Sequence, residues 1–111
     1  ILPDGRSVYV TEGVFRALHR KIGDQPENFP IIGPSHSFNR GDAQHLTPGE
    51  ATSVSFDLLP TSYLFRAGHR LRVSIAGSDS DHFTRIPDGR PPKYRIFRDK
   101  MRPSSIRIPI V

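Results

Sequence analysis

The side chains best able to do chemistry gather in Ser78-Asp79-Ser80-Asp81-His82, where two carboxylates, two hydroxyls and an imidazole fall within five residues. Such a run invites a cation site or a hydrolytic triad. A calcium loop needs more oxygen ligands at fixed spacing and a later bidentate Glu, and none follows Asp81. A zinc site needs two or more His or Cys at recurring spacing, whereas His19, His36, His45, His69 and His82 are scattered and there is no Cys. The run therefore reads as a polar turn at a strand end, its Asp side chains bonding nearby backbone.

A serine nucleophile of the hydrolase type sits in Gly-x-Ser-x-Gly between a strand and a helix. Gly33-Pro34-Ser35-His36-Ser37 comes nearest, but it lacks the closing Gly and lies in a loop with no helix after it. There is no Gly-x-Gly-x-x-Gly to cradle a phosphate. His69, between Gly68 and Arg70, reads as a turn residue rather than a base. No position in 1–111 is thus assigned a catalytic, cofactor-binding or metal-binding role, and no cofactor is expected.

The elements around these residues read as sheet. Leu71, Val73 and Ile75 alternate with Arg70, Arg72 and Ser74, and Val54, Phe56 and Leu58 alternate with Ser53, Ser55 and Asp57. A period of two puts apolar side chains on one face and polar ones on the other. Gly68 predicts a tight turn that pairs Tyr63–Phe65 with Arg70–Ala76 as a hairpin. Phe56, Leu58, Leu71, Val73 and Ile75 are the expected core. Ser7–Thr11 and Ile106–Ile110 add further strands, Pro109 giving the last one an edge or end position. Over Val14–Arg20 a strand entered through a bulge at Gly13 is favoured, with a short helix as the competing reading.

Between Gly23 and Gly49 periodicity is lost among Pro26, Pro30, Pro34 and Pro48. Phe29, Ile31, Ile32 and Phe38 are too apolar for a solvated tether, so this loop is expected to pack on its own sandwich or on another domain. Residues 78–101 form a second irregular stretch, expected to provide the interface together with the 23–49 loop.

A chain of 111 residues has room for one domain, 1–111. Eleven Pro and nine Gly with 35% hydrophobic residues favour short strands joined by many turns, as in an all-β sandwich. The formal charge of +5 raises a nucleic-acid or acidic-surface partner, but most of the sixteen Lys and Arg are dispersed along the sequence. Only 90–102 gathers them, and Pro91, Pro92 and Pro103 break any continuous basic helix there, so no nucleic-acid partner is expected. No stretch nears the roughly 20 apolar residues that span a bilayer, and no membrane partner is expected. The absence of Cys leaves the compartment open. The opening Ile1-Leu2-Pro3-Asp4-Gly5, a turn signal rather than a Met start, is read as lying inside a longer polypeptide.

Three segments in order, Tyr9-Val10-Thr11-Glu12-Gly13-Val14-Phe15-Arg16-Ala17, Leu46-Thr47-Pro48-Gly49-Glu50 and Phe56-Asp57-Leu58 through Gly68-His69-Arg70-Leu71-Arg72-Val73, resemble the C-terminal domain of the X-Pro dipeptidyl-peptidase and cocaine-esterase family of serine hydrolases. The resemblance implies a jelly-roll β-sandwich, galactose-binding-like and here without its first strands. It implies a non-catalytic module that packs on an α/β-hydrolase catalytic domain of the same protein and helps shape the active-site entrance. In that family the catalytic Ser, Asp and His lie in the hydrolase domain, and the module sometimes joins subunits into a homo-oligomer. The alternative is a jelly-roll module that binds carbohydrate or another small polar ligand, with Tyr63, Tyr94 and Phe97 as the aromatic candidates.

Overall fold

The computed structural model describes residues 1–79, 81–86 and 88–110. It divides into two units, Ile1–Leu71 and Arg72–Val111.

In the first unit the local turns form where the sequence demands them. Pro3-Asp4-Gly5 reverses the chain, with the Gly5 N–H donating to Leu2 O at 2.9 Å and the Asp4 carboxylate accepting from the Arg6 backbone N–H at 3.0 Å. The His69 N–H donates to Arg66 O at 3.1 Å across Ala67-Gly68, and Gly68 takes φ +83°. That is the third position of a turn, where type II geometry needs a positive φ that only residues without a Cβ adopt at little cost. The tight turn expected at Gly68 is present.

Distant segments are joined by short links. Ile1 and Arg70 exchange two bonds, 2.9 Å and 2.7 Å, the pattern of one hydrogen-bonded antiparallel pair. The Leu59 N–H donates to Glu12 O at 2.8 Å while Thr11 Oγ1 donates to Leu59 O at 2.6 Å. Gly13 lies so close to this crossing that an added Cβ would stand 2.6 Å from Asp57 O and 3.3 Å from Leu58 Cα. Further along, the Gln44 N–H reaches Leu18 O and the Gly23 N–H reaches Ser35 O, both at 2.9 Å.

Among the described residues these links do not extend into ladders, and the regular elements are two 3-10 turns, Ala17–His19 and Arg40–Asp42. The first falls where a strand was favoured over a helix. Its reason lies at Arg20, which bonds back to Ala17 O through both its backbone N–H and its guanidinium, at 3.3 Å and 3.2 Å, while the guanidinium continues to the distant Gln44 O and His45 O. Carbonyls gathered around one cation hold the chain curled rather than extended.

The expected core also differs. Phe56, Leu58, Leu71, Val73 and Ile75 are not buried but range from 41% exposed at Leu58 to 67% at Ile75. Alternation assigns side chains to a face, but a face is buried only when a second layer lies on it. The stretch 23–49 is irregular apart from Arg40–Asp42, and 78–101 is irregular throughout its described residues.

Candidate functional site

The densest side-chain cluster lies in the first unit, where three stretches distant in sequence supply rings. Phe15 stacks on Phe56 with centroids 5.4 Å apart and planes within 6°. His36 tilts against Phe15 at 4.6 Å, and Phe38 meets Phe15, His36 and His19 at 6.3, 6.0 and 5.4 Å. Such offset and edge contacts are each worth about 0.5–1.5 kcal/mol beyond area burial. Phe38 adopts φ +55°, the one non-glycine residue among those described in the left-handed region.

A half-open groove of about 340 Å³ is lined by Phe15, His36, Phe38 and Phe56 together with Phe29 and Ile31, and by Ser35 and Asp57 among its polar residues. The Asp57 carboxylate presses against Gly33. The groove is thus an apolar trough with a single carboxylate.

His36 joins the strands of chain that line it. Its Nδ1 lies 3.1 Å from Lys21 O and its Nε2 2.9 Å from Ser55 O. Carbonyl oxygens only accept, so an imidazolium donates to both while a neutral ring donates to one. In neither form does a ring nitrogen turn a lone pair toward a serine hydroxyl. Ser35-His36 therefore has no geometry for general-base activation of a nucleophile.

Next to Phe38 in sequence, Ser37 Oγ donates at 2.7 Å to Asp42, which also pairs with Lys21. These bonds, Lys21's foremost, hold the Asp42 carboxyl below its ordinary value. The arrangement fixes the 37–42 segment to residue 21 and so sets the position of Phe38.

The Asp79–His82 run lies in the second unit and forms the polar turn read from sequence. Asp79 Oδ1 accepts from the Asp81 N–H at 3.1 Å, Asp79 Oδ2 faces His82 Nδ1 at 2.8 Å, and the Phe83 N–H donates to Asp79 O at 2.9 Å. The bond from His82, then that from the Asp81 backbone, lowers the Asp79 pKa. Ser80 lies outside the described residues. His19 and His36 share the aromatic cluster, and His82 stands in the other unit. Among the described residues no three His, Asp or Glu side chains converge as a metal site would require.

Sequence spacing does not reveal the His36 bridge, since residues 21, 36 and 55 share no periodicity. The apolar character of Phe29, Ile31 and Phe38 does mark the loop that builds the groove.

The comparisons with known proteins concern the whole chain. The family described as "X-Pro dipeptidyl-peptidase C-terminal non-catalytic domain" matches residues 1–105. Proteins named "Putative serine esterase" in Mycobacterium bovis and in Mycobacterium tuberculosis are each 47% identical over 109 residues, which is 98% of this chain and 17% of theirs. The "Cocaine esterase" of a Rhodococcus species is 24% identical over 123 residues, covering all of this chain and 18% of its own. No solved structure matches significantly. The chain thus spans about one-sixth of the length of these relatives. With a match running over nearly its full length, the chain belongs to the X-Pro dipeptidyl-peptidase C-terminal non-catalytic domain family.

Proposed function

We propose that this chain is the C-terminal module of a serine hydrolase acting on ester or amide bonds, and that it packs on the α/β-hydrolase catalytic domain of the same polypeptide and forms part of the wall of its active-site entrance. The observation that carries this reading is the match of residues 1–105 to a domain described as non-catalytic, in relatives named as esterases of which the chain covers 17% and 18%. In this reading the chain completes a jelly-roll β-sandwich within the full protein, its alternating faces at 53–58 and 70–76 closing against a second layer.

Two features of the chain support a docking role. Phe29, Ile32 and Phe38 stand exposed on a loop whose composition suits contact with another surface. His36 engages both ring nitrogens with backbone carbonyls, which suits a structural part better than a catalytic one.

The test compares the full-length hydrolase with a form lacking this segment, using an activated ester and an X-Pro amide as substrates. The expected result is a loss of kcat/KM or of thermal stability on deletion, with no turnover by the excised segment alone. Full activity, unchanged substrate range and unchanged melting after deletion would refute it.

A further inference from the structure

The charge of this chain is partitioned. Residues 1–71 hold seven Lys and Arg against seven Asp and Glu, while residues 72–111 hold nine against Asp79, Asp81, Asp88 and Asp99, so the whole +5 resides in the second unit. Within 90–107 seven cations face Asp99 alone.

Asp99 is committed locally. Its Oδ1 accepts from the Met101 and Arg102 N–H groups at 3.0 and 2.9 Å, and its Oδ2 lies 3.5 Å from the Arg102 guanidinium. Arg102 also sits 3.9 Å over the Phe97 ring, and Ser104 Oγ donates to Phe97 O at 2.6 Å. The turn over 97–104 is therefore built around the one acid and one of the cations. Arg90, Lys93, Arg95, Arg98, Lys100 and Arg107 make no ion pair among the described residues, and all six are exposed.

Between these cations stand apolar side chains in the open, Tyr94 at 61% and Met101 at 86% exposure. Arg, Tyr and Met are the residue types enriched at protein interfaces and among their energetic hot spots, where Lys is depleted. Five of the seven cations over 90–107 are Arg: 90, 95, 98, 102 and 107.

We propose that residues 90–107 form an arginine-rich docking surface whose partner is an acidic protein face on the remainder of the same polypeptide. This rests on the reading above that the chain packs on the catalytic domain, and it names the surface and the charge that the partner must carry. A second copy of the same surface is opposed by like-charge repulsion. Single-stranded nucleic acid stacks its bases on aromatic faces, of which Arg102 covers one at Phe97, leaving Tyr94 for the experiment below to test.

The experiment uses the full-length hydrolase, comparing wild type, Arg95→Glu with Arg98→Glu, and Arg95→Lys with Arg98→Lys. Limited proteolysis at the junction with this segment is followed at low and high NaCl. In wild type, salt should speed release of the segment, because exposed charges are screened within roughly 8–10 Å at such ionic strengths. The Glu pair should speed release by about tenfold or more at low salt and weaken the salt dependence, since apposing like charges costs several kcal/mol while five cations of the surface remain. The Lys pair keeps the charge and should retain the salt dependence, which separates charge loss from misfolding. Release that is insensitive both to salt and to the Glu pair would overturn the proposal. Loss of activity on deleting the segment, with the Glu pair silent, would leave the module reading standing and this surface refuted. Salt-dependent binding of a single-stranded oligonucleotide, lost in the Glu pair while release is unchanged, would reassign the surface to nucleic acid and overturn it equally.

Discussion

Replacing Gly13 with Ala tests how the 11–13 segment is held against 57–59. The new Cβ would stand 2.6 Å from Asp57 O, whereas ordinary contact begins near 3.4 Å, so backbone on one side has to retreat by about 0.8 Å. Backbone cannot rotate away as a side chain does. The Leu59 N–H to Glu12 O bond, 2.8 Å in the structure, would lengthen past the range of a hydrogen bond. Overpacking costs about 1–3 kcal/mol and the lost bond about 1 kcal/mol, so at least about 2 kcal/mol is expected. At tenfold per 1.4 kcal/mol, the amide of Leu59 should exchange with deuterium about 30 times faster or more. The assay is hydrogen exchange by mass spectrometry on the full-length protein, reading a peptide across Leu59 against one across 97–104. Thr11→Val removes only the Thr11 Oγ1 bond to Leu59 O and should cost about 1 kcal/mol, or about fivefold in exchange. Unchanged exchange at Leu59 in Gly13→Ala would show that the crossing is looser than its geometry, and the reasoning would fail.

Arg20→Met removes the cation around which the carbonyls of Ala17, Gln44 and His45 gather; exchange at Gln44, whose N–H donates to Leu18 O, should rise by about tenfold, as expected for roughly 1.5 kcal/mol of charge-assisted bonding. Phe56→Ala deletes the ring stacked on Phe15 and should destabilise by about 1–2 kcal/mol, read as faster exchange across 14–16 with no matching change at 97–104. The Asp42 and Asp79 carboxyls both lie below their ordinary value of 3.8, so the stability they contribute is present above that value and is lost as pH falls through their lower folded values. Lys21→Met should raise the Asp42 midpoint toward 3.8, and His82→Leu, which leaves no donor, should do the same for Asp79, each followed by carboxyl NMR; an unmoved midpoint would disprove the assigned cause.

What the sequence made legible was local. Gly68 marked its own turn because no other residue type enters that conformation cheaply, and Asp79 marked a turn because a short carboxylate accepts from the backbone N–H two positions on. The apolar side chains at Phe29, Ile31 and Phe38 showed that the 23–49 loop builds a surface. The family was legible in three ordered segments, because Thr11-Glu12-Gly13 and Gly68-His69-Arg70 are tied to particular backbone positions. Three things were not readable. Two periodicities compete over the few residues of Val14–Arg20, and the Arg20 carbonyl contacts that decide between them come from residues 44 and 45. Alternation at 70–76 says which side chains share a face and nothing about what lies on it. The His36 bridge joins positions 21, 36 and 55, and a lone His in a loop carries no spacing signal.

Phe38 leaves a mark on how variation at this position should be interpreted. Its left-handed backbone costs about 1–3 kcal/mol for an L-residue, while its ring makes tilted and edge contacts with His19 and Phe15. Gly or Asn at 38 would relax the main chain and give up those contacts, whereas a β-branched residue would give up the contacts and strain the main chain further. The two effects oppose each other, so a natural homologue with Gly there would keep the turn and present a differently shaped trough.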